Sequence, residues 1–216
     1  SLALAGATIQ DAAGNDAALT LPALNSADAL AGNKDLVIDG AAPSVGNVTS
    51  PTANGAYKAG DTVLITVQLS ETVVVAGGTP TLLLETGATD RSATYVSGSG
   101  SDTLVFSYTV QPGDSTGDLD YTSTTPIALN GATVKDLAGN PADLTLAAPG
   151  APGSLGANKA IVIDTAAPAV TAVSSTNPDA TYVTGDVITL TVAFSEAVTV
   201  TGTPILTLET GATDRA

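Results

Sequence analysis

Of the 21 acidic residues in the chain only four are glutamate, and two of those four occupy matching Ser-Glu pairs, Ser70-Glu71 and Ser195-Glu196. The string Asp-x-Ala-Gly-Asn occurs twice, at Asp11 to Asn15 and at Asp136 to Asn140, and Val-Ile-Asp occurs twice, ending at Asp39 and at Asp164. Carboxylates and an Asn carbonyl are hard oxygen donors, of which Ca2+ takes six to eight at about 2.3–2.6 Å. The same strings suit a tight turn, with Asp accepting from backbone amides and Gly or Asn taking positive φ. Both readings stand for Asp11, Asp39, Asp136 and Asp164. Cys, His and Met are absent, which removes disulfides, thiolate and imidazole ligands, and every scheme with a Cys or His nucleophile or base. A glycosidase needs two acids about 5–10 Å apart in a cleft, usually beside stacking aromatics. Five Tyr and two Phe, several of them core-facing, leave no such platform, so no enzyme is expected.

What positions these acids is a repeat. Leu4 to Asn15 (LAGATIQDAAGN) returns as Leu129 to Asn140 (LNGATVKDLAGN), an offset of 125 residues, and residues 1–43 share 23 identities with 126–168. Tyr57, Gly60-Asp61 and Ser70-Glu71 pair with Tyr182, Gly185-Asp186 and Ser195-Glu196 at the same offset. One residue is then lost, Gly77-Gly78 facing Gly202 alone, so that ETGATDR at 85–91 returns at 209–215. The chain divides into the last part of one unit (residues 1–40), a complete unit (41–165) and the first part of a third (166–216). Residues 1–40 are expected to supply late strands and 166–216 early ones.

Strands show as period-two patterns. Val63, Ile65, Val67 and Leu69 lie on one face of residues 62–69, and the second copy keeps that face apolar with Ile188, Leu190, Val192 and Phe194. Leu206-Thr207-Leu208 in the second copy turns the middle residue of Leu82-Leu83-Leu84 outward. Further strands fit Ala93 and Tyr95, Leu104 to Val110, Leu129 to Lys135, and Lys159 to Asp164, while Ala142 to Asn158 is a long Pro/Gly loop. No sustained 3.6-residue stripe exists, and β-branched residues with frequent Gly and Pro disfavour long helices. Seven or so short strands in about 125 residues indicate an all-β, antiparallel sandwich with Greek-key connections, a β-barrel being the alternative that irregular strand lengths and spacings disfavour. Glu85 and Glu209 are expected to pair with Arg91 and Arg215 across hairpins, and Asp114, Asp118 and Asp120 to lie in a solvated connection.

Composition narrows the partners. Six bases against 21 acids give a net charge of −15, and the bases are too few and scattered to displace counterions from a nucleic acid. No run of 18 apolar residues exists, so no helical membrane span is expected.

The order DLAGN (136–140), IDTAAP (163–168), FSEAV (194–198) and Gly202-Thr203-Pro204 resembles the tandem bacterial immunoglobulin-like repeats of giant extracellular surface proteins, including type I secreted, RTX-adhesin-like proteins. The resemblance covers essentially the whole chain. It implies a rod of tandem Ig-like β-sandwich repeats at a bacterial cell surface, each partnered by neighbouring repeats and often rigidified by Ca2+ near domain junctions; from the residues alone, residues 1–40 of one copy could in principle complete residues 166–216 of another, head-to-tail in a filament. It names no ligand. In such a sandwich the strand before Ser70-Glu71 runs back toward the incoming linker, and the last loop returns to the same end. Asp39, Glu71, Asp136 and Asn140 are then expected to converge as oxygen ligands. Asp164 and Glu196 would be the visible half of the next site, and Asp11 and Asn15 that of the preceding one. The alternative function is a module binding glycan or protein through loops at one domain end.

Overall fold

A computed structural model describes residues 2–213 and 215. In chain order the elements are α1 (Leu30–Asn33), β1 (Val45–Thr49), β2 (Gly55–Tyr57), β3 (Thr62–Ala76), β4 (Thr81–Glu85), β5 (Arg91–Ser97), β6 (Ser101–Thr109), β7 (Ser115–Thr116), β8 (Asp120–Tyr121), β9 (Ile127–Ala128), β10 (Thr133–Lys135), α2 (Leu155–Asn158), β11 (Ile161–Asp164), β12 (Val170–Ser175) and β13 (Leu190–Phe194). The chain is nearly all β, its sheets curling into a sandwich-like half-barrel.

The main sheet runs β1-β3-β6-β5-β4-β8, with β10 joined to β3 and β9 to β4. A second sheet runs β2-β11-β7, and its Tyr57, Ile161 and Ile163 pack into the same core. The alternation seen in sequence sets the packing, because successive strand residues point to opposite faces. Val63, Ile65, Val67 and Leu69 of β3 are buried with Leu104, Phe106 and Tyr108 of β6, which pair with β3 in antiparallel register (Ile65 opposite Phe106). Leu82 and Leu84 are buried while Leu83 is half-buried. Leu155, Ile161 and Ile163, from the other end of the unit in sequence, close the same core.

Three local expectations change. β3 does not stop at Leu69 but continues to Ala76, because β10 pairs with its last three residues; Glu71 therefore stands inside the strand, in a register irregularity between Gln68 and Val73. The sandwich is not wholly antiparallel, since β2 and β11 pair in parallel; with 103 residues between Tyr57 and Ile161 the connection is long enough to allow it. Residues 129–132 form a turn, not a strand, with Asn130 at φ 50° and Gly131 at φ 83°. That turn seats close under Gly78, where a Cβ would come within 2.0 Å of the Asn130 carbonyl.

The long loop 142–158 is tied inward at several points. Leu146 is buried, the Tyr121 hydroxyl donates to Ala147 O at 2.7 Å, and Asn158 Nδ2 donates to Val48 O at 2.8 Å. Ser154 caps α2 by accepting from Ala157 N, whereas Ala29, its counterpart before α1, has no side chain that can.

Acid placement also departs from expectation. Arg91 pairs not with Glu85 but with Asp114, Nε to Oδ1 at 2.9 Å, and Glu85 Oε1 accepts from Gly87 N. Asp114 is 1% exposed and also accepts from the Tyr108 hydroxyl (2.7 Å) and Gln111 N (2.9 Å). Burial alone would raise its carboxyl, but the hydrogen bonds from Tyr108, Arg91 and Gln111 prevail and hold it below the ordinary range. Asp120 is buried too, its Oδ2 taking Gly150 N at 2.9 Å; only Asp118 of the three is exposed.

Outside residues 41–165 the described chain is almost entirely exposed. Within 2–40 only Ala29 is buried, and the expected late strands reduce to α1 and a single bridge between Gln10 and Asp16. Among the described residues beyond 165, the β12–β13 pair and a single bridge between Leu208 and Arg215 remain. A strand face without opposing strands loses the burial that stabilises it.

Two expectations follow for stability. Ile65→Ala costs about 2–5 kcal/mol, whereas the repeat-equivalent Leu190→Ala costs less than about 1 kcal/mol, since Leu190 is partly exposed; urea unfolding measures both. Asp114→Ala costs about 3 kcal/mol or more, because the part-buried Arg91 and the buried Tyr108 hydroxyl lose their partner, while Asp118→Ala stays within about 0.5 kcal/mol. The Asp114 contribution is full above its ordinary pKa of 3.8 and is lost as pH falls through the lowered folded value.

Candidate metal centre

Three chain segments meet beside the irregularity in β3. The incoming linker brings Asp39, β3 brings Glu71, and the turn after β10 brings Asp136; one carboxylate oxygen from each lies within 4.8 Å of the others. Asp39 is exposed, Glu71 half-buried and Asp136 buried.

Each position has a local cause. Ser70 fixes the entry of the linker, its N–H donating to Ser44 O (2.8 Å) and its Oγ accepting from Ser44 N (3.1 Å). Pro43, buried, accepts from Asp143 N at 2.7 Å, so the linker is held between β3 and the chain that follows the turn. Asp136 is oriented by its own turn. Its Oδ1 accepts from Asn140 N and its Oδ2 from Asn140 Nδ2, both at 2.8 Å, while Gly139 takes φ 97°, a conformation open to glycine. Thus the turn reading and the cluster reading of Asp-x-Ala-Gly-Asn describe the same residues at once.

Asn140 enters differently from its expected role as a carbonyl ligand. Its amide nitrogen faces the cluster and donates to Asp39 O at 3.2 Å as well as to Asp136. It ties the linker backbone to the turn. No sequence signal separated this from ligation, because amide oxygen and nitrogen share one side chain.

The electrostatics are those of unneutralised carboxylates. Burial, then the charges of Asp39 and Asp136, push the Glu71 carboxyl above its ordinary value. Asp136 goes the other way: burial works against its ionisation but is outweighed by the Asn140 side chain and by backbone N–H groups of Asn140, Gly139 and Ala138. Among the described residues the ion pairs are Lys58–Asp61 and Arg91–Asp114, and neither reaches the triad. Oxygen-only donors at this mutual spacing fit a hard divalent cation, whose ligands about 2.3–2.6 Å from the ion are necessarily within about 5 Å of one another.

The remaining predicted positions are Asp11 and Asn15 within residues 1–40, Asp164 at the end of 41–165, and Glu196 within 166–216. Asp11 and Asn15 form the same turn as Asp136 and Asn140, with Asn15 N and Nδ2 donating to Asp11 at 2.9 and 2.8 Å, but both are exposed. Asp164 is half-buried and accepts from Ala166 N at 3.0 Å; Glu196 is exposed beside Ser195, which binds Ala169 as Ser70 binds Ser44. Neither pair belongs to a three-acid group among the described residues.

Sequence reading passed over Thr165. Its hydroxyl donates to Asp114 O (2.8 Å) and accepts from Gly113 N (3.0 Å), pinning the outgoing linker next to Asp164. The available signal was the exchange of Gly40 for Thr165 between otherwise matching junctions.

Among the described residues no helix is long and apolar enough to cross a membrane. No family model, curated protein or solved structure matches the chain.

The raised Glu71 carboxyl gives a signed expectation. A group held above its unfolded pKa contributes stability that is full below the ordinary value of 4.5 and is lost as pH rises through the folded value. In chelator, Glu71→Gln therefore raises Tm at pH 7, and the gain vanishes as pH falls below about 4.5. Thermal melts from pH 3 to 8 test it; a lowered Tm at pH 7 would contradict the repulsion.

Proposed function

We propose that the chain is a non-enzymatic structural repeat of a long extracellular bacterial surface protein or filament, an extender or spacer in adhesion or matrix, built of tandem Ig-like units and stiffened by Ca2+ at their junctions. The convergence of Asp39 with Glu71 and Asp136 carries this reading, because Asp39 belongs to the linker and the other two to the body of the unit. A cation shared by these carboxylates fixes the angle at which one unit leaves the next. Asn140 supports it by holding Asp136 and the Asp39 backbone together.

The resemblance of the repeated strings to bacterial Ig-like tandem repeats supplies the extracellular setting, and the charge supplies a rationale. At −15, neighbouring units repel, which keeps an array soluble and extended. Extracellular calcium modules bind at about 10⁻⁴–10⁻³ M, so the junctions are free in a calcium-poor cytoplasm and loaded outside.

Calorimetry of the full chain in EDTA and in about 10 mM Ca2+ tests this. A site of about 10⁻⁴ M affinity at hundredfold excess adds about 2.7 kcal/mol, or near 10 °C in Tm for a unit of this size. Glu71→Gln combined with Asp136→Asn removes the calcium-dependent rise. An unchanged Tm in calcium eliminates the metal from the proposal.

A further inference from the structure

The two junctions of this chain differ in covalent chemistry at one position. Val37-Ile38-Asp39 runs on into Gly40-Ala41-Ala42-Pro43, and Val162-Ile163-Asp164 into Thr165-Ala166-Ala167-Pro168, so the junctions match except that Gly40 stands where Thr165 stands. Asp39-Gly40 is the single Asp-Gly pair among the 17 aspartates. An aspartate followed by glycine can close a ring on the main chain, because glycine has no side chain to hinder the approach of its own nitrogen to the preceding carboxyl carbon and is free in φ.

The local turn favours that approach at both junctions. Asp39 Oδ1 accepts from Ala41 N at 3.0 Å and Asp164 Oδ1 from Ala166 N at 3.0 Å, so each carboxylate is folded back over the peptide that follows it. What restrains the second junction is the Thr165 side chain. Its hydroxyl accepts from Gly113 N and donates to Asp114 O, and its β-branch stiffens the residue, while among the described residues no hydrogen bond holds its amide N–H. Gly40 has neither hydroxyl nor branch, whatever precedes it. The two Asn-Gly pairs, open to the same ring closure, are restrained by other means. Gly55 N donates to Ala160 O at 3.0 Å and Asn54 Oδ1 accepts from Ala160 N at 3.2 Å, while Asn130 Nδ2 donates to Thr79 O and Thr81 Oγ1, both at 3.1 Å.

We propose that Asp39-Gly40 is a site of spontaneous aspartate isomerisation, at which the junction ages. The Gly40 nitrogen attacks Cγ of Asp39 and a new N–Cγ bond forms. The carboxyl hydroxyl leaves and, with the proton from that nitrogen, departs as water, closing a succinimide ring. Water then reopens the ring at either carbonyl. Attack at Cγ regenerates aspartate, whereas attack at the α-carbonyl breaks the original peptide bond, routes the main chain through Cγ and leaves isoaspartate. Nothing is oxidised or reduced, and water is the one co-reactant. In isoaspartate the carbonyl that accepts from Asn140 Nδ2 becomes part of a free carboxylate, and the carboxyl group that lies within 4.8 Å of those of Glu71 and Asp136 becomes a main-chain amide. Both groups by which the linker meets the acid cluster are thereby replaced. That consequence for the junction rests on the structural-repeat reading above; the reaction itself does not.

The full chain is aged in weakly acidic buffer with EDTA and digested, and isoaspartate is located by electron-transfer fragmentation of peptides that differ in retention but not in mass. Isoaspartate at Asp39 is expected to accumulate about tenfold faster than at Asp164. Gly40→Thr brings Asp39 down to the Asp164 rate; a Cβ at Gly40 meets nothing within 4 Å, so this variant keeps the fold. Thr165→Gly, made where a complete unit precedes the junction, raises the rate at Asp164 about tenfold. Equal rates at Asp39 and Asp164 in the natural chain overturn the proposal. A Thr165→Gly chain whose Asp164 stays slow overturns it as well, since glycine at a junction would then not be what admits the reaction. The calcium-dependent thermal shift is read on fresh protein, and the ageing is read in chelator, so either proposal can fail alone.

Discussion

The change of partner along β3 is the constraint on which the rest of this structure depends. Its first half pairs with β1 and β6 and buries Val63, Ile65, Val67 and Leu69; its last residues pair with β10. β1 comes from the start of the unit and β10 from near its end, so the strand is complete only when both ends of the unit are present. Where the two partners change over, the ladder is irregular, and an irregular ladder re-aims side chains. Glu71 stands there, and the linker before β1 and the turn after β10 bring Asp39 and Asp136 to it.

Two acid sites in the unit show opposite solutions to charge. Asp114 is buried and answered by Arg91, Tyr108 and Gln111, so its ionised form is the favoured one and it serves the fold. The Asp39–Glu71–Asp136 group is only partly buried and lacks a described basic partner, so Glu71 resists ionisation. The second holds carboxylates of the linker and of the body of the unit together with no described counter-charge among them. Thr165 adds a clamp of neutral hydrogen bonds at the opposite junction, anchored on the loop that holds Asp114.

Leu190 and Ile65 occupy one repeat position, yet one is open and the other sealed. Local pairing survives in both copies, down to the register irregularity, because it is encoded by neighbours in sequence. Burial in residues 41–165 is contributed by strands far apart in sequence, from Val48 to Ile163.

Much of this was legible from the residues alone. The second copy acted as a control on the first, fixing which face of β3 and of Leu82-Leu83-Leu84 turns inward, and the all-β class followed from alternation and turn composition. Asp39, Glu71 and Asp136 could be brought together on paper from strand direction. Sequence did not determine the continuation of β3 to Ala76, the parallel pairing of β2 with β11, the donor role of Asn140 or the burial of Asp114. Each of these depends on a partner dozens of residues away. Period and turn chemistry are properties of a few neighbouring residues, whereas strand extension, the burial of a charge and the direction of an amide are settled by what folds against them.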